Sequence, residues 1–188
     1  MHFNNHYELK EKHAFLSPSK YHWINYDIQK LRDVYMNSLA VERGTKLHEI
    51  AANLIKFNLK LPRKKSTLNL YVNDGIGFRL SPEVTLKYSD ICFGTADTIG
   101  FDDVDKVLRI SDLKTGASIA SMHQLEIYAA LFCLEYSFDP KDISIELRIY
   151  QNDEVVMSEP EAELIQHIMN VIIDSDKELQ KLKSEVDA

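Results

Sequence analysis

Cysteine is scarce in this sequence, and its scarcity excludes several kinds of site. Only two cysteines occur among 188 residues, Cys92 and Cys133, and neither has a second cysteine at C-x-x-C spacing. A zinc knuckle or an iron–sulfur cluster would need four thiolate or histidine ligands at close spacing, so no iron–sulfur cluster is expected. We predict two reduced core thiols in a cytosolic protein.

Long apolar runs are also missing. No stretch approaches the roughly 20 apolar residues that cross a bilayer, and the segment from Met1 to Lys12 lacks the apolar core of a signal peptide. We therefore expect a soluble, cytoplasmic protein with no membrane partner. There is no P-loop motif either.

Positive charge is in deficit. The chain has 29 acidic residues against 22 lysines and arginines, a net charge of −7, which by itself counts against a nucleic-acid-binding surface. The placement of charge matters more than its sum. Five cations form a basic cluster that is a candidate surface for an anionic partner: Lys56, Lys60, Arg63, Lys64 and Lys65.

The hydrophobic pattern predicts a single domain over residues 1–188. Residues 1–15 are expected to be a weakly ordered lead-in, 16–150 the core and 159–183 a C-terminal helix. The predicted elements are helices over about 19–26 and 28–59, strands over 84–93, 93–101 and 107–113, a helix over 121–136, a strand over 143–150 and a final helix. Residues 67–80 fit a strand or a short helix. Three antiparallel strands and a helical crossover to a fourth predict an α/β fold, with a mixed sheet of four or more strands flanked by helices.

The hairpin around Asp102–Asp105 carries the most informative polar residues. If its turn is centred between Val104 and Asp105, four pairs lie opposite each other on one face of the sheet: Phe101–Leu108, Ile99–Ile110, Asp97–Asp112 and Thr95–Lys114. A slip of one residue would put the two aspartates on opposite faces.

Two opposed carboxylates on a partly apolar surface repel each other, so either one takes up a proton or a cation lies between them. Magnesium prefers one or two carboxylates together with phosphate and water oxygens. Lys114 lies roughly 6–7 Å along the strand from Asp112, within reach of a metal-bound water or a phosphate. A plain surface ion pair between Asp112 and Lys114, with Asp97 capping a turn, is the structural alternative.

Five segments extend this pattern in a fixed order: Leu16-Ser17-Pro18-Ser19, Gly44-Thr45-Lys46-Leu47-His48, Gly94-Thr95-Ala96-Asp97, Ile110-Ser111-Asp112-Leu113-Lys114-Thr115-Gly116 and Gln124-Leu125-Glu126-Ile127-Tyr128. Together they resemble the successive motifs of the RecB-like nucleases of the PD-(D/E)XK superfamily. The resemblance implies a restriction-endonuclease-like core.

The resemblance also implies roles for residues of the site. Asp97, Asp112 and Lys114 would be the catalytic residues. Both aspartates would ligate Mg²⁺ or Mn²⁺ together with the Leu113 carbonyl oxygen, and His48 would approach the same metal from a helix, favouring manganese somewhat.

The resemblance also implies residues that would contact the substrate. Gln124 and Tyr128, spaced four apart on one helix face, would contact DNA or the catalytic lysine. The basic cluster would line the path of the DNA, and Glu83 is a further acidic candidate.

The implied function is metal-dependent hydrolysis of DNA by an exonuclease, in phage or mobile-element DNA processing or recombination, in the cytosol of a bacterium or of a phage-infected host. DNA is the expected partner, and a recombinase, a helicase or an annealing protein is compatible as a protein partner. The alternative is a nuclease-derived module that binds or inhibits a protein partner, or binds DNA, without cutting. The sequence leaves open endonuclease action, polarity, strand preference and oligomeric state.

Overall fold

The computed structural model describes residues 5–10, 12–116 and 120–186. The chain divides into two compact units, Met1–Arg43 and Gly44–Ala188, and the division falls within the first long helix. Within the described residues, no helix is both long and apolar enough to cross a membrane.

The N-terminal unit is built from short turns and the first part of a helix. The predicted helix over 19–26 is instead a 3₁₀ segment, Pro18–Asn25, interrupted at Lys20. The Ser17 side chain does not cap it, because its hydroxyl pairs with that of Ser19 at 2.8 Å. The predicted lead-in lies partly outside the described residues, and Tyr7–Leu9 forms one 3₁₀ turn.

Helix α1 spans Ile28–Lys56, close to the prediction. The Asp27 carboxylate accepts the Lys30 backbone N–H at 2.7 Å and so caps the first turn. The helix ends because Asn58 takes a left-handed conformation (φ 56°), which asparagine tolerates better than most residues, several positions before Pro62.

Residues 67–80, which fitted either a strand or a helix, form helix α2, Thr67–Gly77. Its buried residues Tyr71, Val72 and Gly75 recur at helical spacing, so tertiary packing decides the ambiguity. Arg79, with φ 58°, follows as the chain turns into the sheet.

The sheet has five strands in the order of the chain: β1 Ser81–Ser89, β2 Cys92–Asp102, β3 Val107–Leu113, β4 Ser144–Gln151 and β5 Glu154–Ser158. Only the β3–β4 pair is parallel. The predicted α/β class with a mixed sheet flanked by helices is therefore confirmed. Strand β5 was not predicted; it follows a two-residue turn in which Asn152 and Asp153 both have positive φ, the geometry of a tight hairpin.

Helix α3, His123–Tyr136, makes the crossover from β3 to β4, and helix α4, Ala162–Val186, closes the fold. The predicted start of α4 near Glu159 is early by one turn.

Two cores cover the two faces of the sheet. The larger core contains residues of the strands, α3 and α4, such as Leu108, Leu125 and Ile165, all fully buried. The smaller core packs α1 and α2 against the sheet and includes Tyr71 and Tyr150. The C-terminal edges of β3 and β4 thus lie between two layers of helices, which is where the predicted site residues are found.

Neither cysteine forms a disulfide. Cys133 is buried in α3, and Cys92 is half-buried at the start of β2. Both belong to or pack against the larger core, as predicted.

Candidate active site

The hairpin of β2 and β3 has the predicted register over its apolar half. Phe101 pairs with Leu108, and Ile99 pairs with Ile110. The ladder then ends at Thr98–Ser111, so the predicted backbone pairs Asp97–Asp112 and Thr95–Lys114 are not part of it.

The ladder ends because strict alternation fails at Asp97. Ala96 is buried in the larger core, whereas Thr98, two residues on, lies against the phenol of Tyr71 in the smaller core. Asp97 is therefore the position at which β2 changes face. Its side chain replaces the missing backbone partner, since Oδ2 accepts the Leu113 backbone N–H at 3.0 Å.

Glu83 marks the same irregularity on β1. Its neighbours Pro82 and Val84 pair with Thr98 and Ala96, so Glu83 stands unpaired opposite Asp97. It has φ 54°, a conformation unusual for a residue with a side chain, and it is exposed. The alternating pattern of the sequence does not indicate these irregularities at Glu83 and Asp97.

Asp112 is the most constrained carboxylate of the site. It is only 5% exposed, and the Lys114 ammonium lies 3.0 Å from each of its oxygens. Only Oδ1 is aligned for a hydrogen bond, which leaves Oδ2 buried and without a hydrogen-bond partner in the part of the chain that the structure describes. Burial raises the pKa of Asp112, and the charge of Asp97 raises it further, against the opposing effect of Lys114.

Lys114 is held between the sheet and α3. Its ammonium donates to Asp112 Oδ1 and also to Gln124 Oε1 at 2.9 Å, and its backbone N–H donates to the Tyr150 carbonyl of β4 at 2.9 Å. The predicted contact between Gln124 and the lysine is therefore present.

His48 reaches the same site from α1. Its Nδ1 lies 3.2 Å from Asp97 Oδ2. The hydrogen bond with Asp97 raises the pKa of His48, although burial opposes the shift. One turn earlier, a Cβ on Gly44 would stand 2.7 Å from the Thr115 hydroxyl oxygen, so the glycine allows α1 to pass close to the end of β3.

Tyr128 bonds to strand β2, and its predicted contact with DNA stays a prediction. Its hydroxyl donates to the Thr95 carbonyl at 2.6 Å, and its ring lies over Gly94, where an added Cβ would stand 3.0 Å from Cε1. Gln124 and Tyr128 share one face of α3, as predicted, and attach that face to the lysine and to β2 respectively.

The structure separates the basic cluster into two places. Four of its members, Lys60, Arg63, Lys64 and Lys65, line a cleft of about 490 Å³ beside α2. Lys56 lies apart from them and shares a smaller cavity, of about 320 Å³, with Glu83.

The donor atoms fit a divalent cation only in part. Among the described residues, no three histidine, cysteine or acidic side chains lie close enough together to hold a metal ion as they stand. Lys114 is paired with Asp112 and His48 with Asp97, so a cation would have to compete with these two contacts. Within the part of the chain that the structure describes, the buried Oδ2 of Asp112 nevertheless lacks the aligned hydrogen bond that such an atom normally has, and a cation would satisfy it.

Two residues near the site have no counterpart in the sequence motifs. Asp74 of α2 accepts the Tyr150 hydroxyl at 2.8 Å, while the Tyr150 carbonyl accepts the Lys114 N–H. Burial, followed by the hydrogen bond with Asp74, raises the pKa of Tyr150. Because these contacts join residues far apart in the chain, no local signal predicts them.

Comparison of this chain with protein families, with curated proteins and with solved structures finds no match. The functional argument therefore depends on the geometry of the site.

Proposed function

We propose that the protein is a metal-dependent deoxyribonuclease, a hydrolase of DNA phosphodiester bonds with the site pattern of the RecB-like PD-(D/E)XK exonucleases. One observation carries the proposal: among the described residues, a buried oxygen of Asp112 has no aligned hydrogen bond, although the Lys114 ammonium lies 3.0 Å from it, and a second carboxylate stands nearby. A structural ion pair has no need of the unsatisfied oxygen, because burying one costs stability. A site that recruits a cation does need it.

Asp97 and Asp112, with His48 and the Leu113 carbonyl, are the residues that would hold Mg²⁺ or Mn²⁺. The ion would lower the pKa of a bound water and offset negative charge on the phosphate. His48 would contribute a neutral imidazole nitrogen, and its raised pKa means that Asp97 favours the protonated form, which competes with metal binding.

Lys114 supplies a positive charge in a fixed position. Because Gln124 holds its ammonium independently of Asp112, the lysine stays in place when the oxygens of Asp112 are engaged elsewhere. An ammonium held in this way can orient a water and stabilise charge that develops on the phosphoryl oxygens, at no further cost of ordering.

His48 and Leu113 together hold Asp97 in place. Its Oδ2 accepts the Leu113 N–H at 3.0 Å and faces His48 Nδ1 at 3.2 Å. The carboxylate is thus oriented by two elements, α1 and β3, before any substrate arrives.

DNA is the proposed substrate and exonucleolytic processing the proposed action. The setting we propose is recombination or repair of phage or mobile-element DNA in a bacterial cytosol, with a recombinase, helicase or annealing protein as a compatible partner. The four cations beside α2 supply a local positive surface on a chain whose net charge is −7.

The test is cleavage of end-labelled linear single-stranded and duplex DNA with Mg²⁺, Mn²⁺ or EDTA. We expect metal-dependent degradation that Asp112→Asn and Lys114→Gln reduce by roughly 10²–10³-fold, the usual effect of removing a group that stabilises the transition state. Asp105→Asn, the same change at the exposed β2–β3 turn, is the matched control and should cleave normally. Circular substrates then separate exonuclease from endonuclease action.

Cleavage that persists in EDTA, or in the Asp112→Asn protein, would contradict the assignment. If the folded wild-type protein cleaves nothing with either metal, the non-cutting binding or inhibitor module becomes the better explanation.

A further inference from the structure

The cleft beside α2 concentrates positive charge in an acidic protein. Its four cations lie within six residues of the chain, Lys60 to Lys65, and all four side chains are exposed. Among the described residues, none of these four cations forms an ion pair, in contrast to Arg109 and Arg148, which share Glu146. Asp74 is the one carboxylate in the cleft lining, so positive charge remains in excess there, and like charges repel each other unless a further anion lies between them.

Two asparagines hold the backbone that carries these cations. The Asn73 side chain makes two hydrogen bonds to Leu61, accepting its N–H at 2.9 Å and donating to its carbonyl at 3.0 Å. Asn69, one turn earlier on α2, donates to the Pro62 carbonyl at 2.7 Å. A basic segment of a chain is usually a mobile, solvated surface, whereas this one is attached to a helix at two consecutive residues.

Two hydrogen bonds connect the lining of the cleft to Lys114. Asp74 lines the cleft and accepts the hydroxyl of Tyr150. The backbone carbonyl of Tyr150 in turn accepts the N–H of Lys114. One residue of β4 therefore contacts both Asp74, which lines the cleft, and Lys114 of the candidate site.

We propose that this cleft anchors the phosphate backbone of a single nucleic-acid strand a short distance from the bond that is cut. The binding of a strand requires neither metal nor cleavage. Only the position of the cleft near the bond that is cut rests on the proposed nuclease function. The volume of about 490 Å³ suits a segment of one strand, since pockets of 300–1,000 Å³ typically enclose a single small ligand. Leu61 and Leu70 in its lining give sugars and bases an apolar contact.

Strand binding is measured by fluorescence anisotropy in EDTA, with labelled single-stranded oligonucleotides from about 6 to 20 nucleotides long. The cleft variant is Lys60→Gln with Lys64→Gln. The matched control is Lys177→Gln with Lys181→Gln on the exposed part of α4, which makes the same change in net charge. Circular dichroism and thermal unfolding show that both remain folded.

We expect the cleft variant to bind at least 10-fold more weakly than the wild type at low salt, and the control to bind normally. Each phosphate contact on a single strand contributes about 0.7 to the slope of log K against log salt, so two lost contacts should reduce that slope by about 1.4. Asn73→Ala keeps every cation and releases the loop. It should weaken binding several-fold and leave the salt slope unchanged.

Several results would overturn the inference. The first is a cleft variant with the affinity and salt slope of the control. The second is displacement of the oligonucleotide by inorganic phosphate or pyrophosphate, at equal phosphate concentration, as effectively as by unlabelled strand, since that would indicate a small-anion site. Absence of any strand binding by the wild type is the third. Binding as expected without cleavage in Mg²⁺ or Mn²⁺ would support the cleft and contradict the nuclease assignment, so the two failures are distinguishable.

Discussion

Gly44 on α1 lies so close to Thr115, just beyond β3, that an added Cβ would stand 2.7 Å from the threonine hydroxyl oxygen. Glycine in the middle of a helix normally costs stability, by about 1 kcal/mol relative to alanine. The close approach gives a physical reason for the glycine, because it brings His48, one turn further along the same helix, to 3.2 Å from Asp97.

A double-mutant cycle tests this relationship. Gly44→Ala should destabilise the wild-type protein, because the displaced threonine outweighs the gain in helix propensity. In a Thr115→Ala background, where the obstructing oxygen is gone, the same change should stabilise the protein by about 1 kcal/mol. Urea denaturation should therefore yield a coupling energy of about 1–2 kcal/mol.

Gly77→Ala is the matched control for that cycle. Gly77 is the last residue of α2, and a Cβ there meets no atom within 4 Å. Its effect should add to that of Thr115→Ala within about 0.5 kcal/mol. If the coupling between positions 44 and 115 were also below about 0.5 kcal/mol, the close approach of α1 to Thr115 would not require a glycine at position 44.

Gln124 is expected to act through Lys114. Gln124→Ala removes one of the two acceptors that hold the ammonium, so we expect kcat to fall about 10-fold with KM nearly unchanged, a smaller loss than for Lys114→Gln. Gln166→Ala on α4, whose amide bonds to Asn170 at the surface, is the control and should leave kcat unchanged.

Adding Gln124→Ala to the Lys114→Gln protein should then cause little further loss, because two residues that act as a unit are not additive. If Gln124→Ala lowered kcat by the same factor in the Lys114→Gln protein as in the wild type, Gln124 would act on the substrate directly.

The two cysteines provide a chemical test of the core. Burial raises the pKa of Cys133 to about 11, and Cys133 is 1% exposed in α3, whereas Cys92 is only half-buried. At pH 8 a thiol reagent should therefore modify one thiol in the folded protein and the second only in step with unfolding. Cys92→Ser should abolish the first reaction, and two equally fast thiols would contradict the packing of α3.

The sequence predicts the sheet and its crossover well, because amphipathic spacing and alternation determine them locally. It predicts the hairpin register correctly as far as Ile99–Ile110. It fails at Asp97, where both β1 and β2 break their alternation, since the positive φ of Glu83 has no glycine or asparagine to indicate it. Strand β5 was missed for a related reason, as five residues after an Asn-Asp turn give too short a pattern.

The candidate site also has a part that the sequence predicts and a part that it does not. The lysine, both aspartates, His48 and Gln124 are brought together as the motifs predict. The connection from Asp74 through Tyr150 to Lys114 depends on residues from α2, β4 and β3, and neither spacing nor residue type indicates it.

Without a bound metal, Asp112 should lower the stability of the protein. Its pKa is raised above the ordinary value of 3.8 by burial and by Asp97, so the folded state holds this proton more tightly than the unfolded state. Stability from this group is therefore present at low pH and is lost as pH rises from 3.8 through the folded pKa. Once the carboxylate is ionised, its buried oxygen without an aligned hydrogen bond among the described residues opposes folding.

Asp112→Asn should thus raise the free energy of unfolding at pH 7 by about 1 kcal/mol, the low end of the cost of an unsatisfied buried group, since the variant also loses the ion pair with Lys114. The difference between the two proteins should shrink or reverse below pH 4, where the wild-type carboxyl is protonated. Adding Mg²⁺ or Mn²⁺ should reverse the order at pH 7, because a ligand at 100 times its Kd stabilises the wild type by about 2.7 kcal/mol and the variant much less. Thermal unfolding across pH, with metal and with EDTA, measures all three effects. A variant less stable than the wild type in EDTA would show that Asp112 serves the fold through Lys114, and the argument for a cation at its free oxygen would lose its basis.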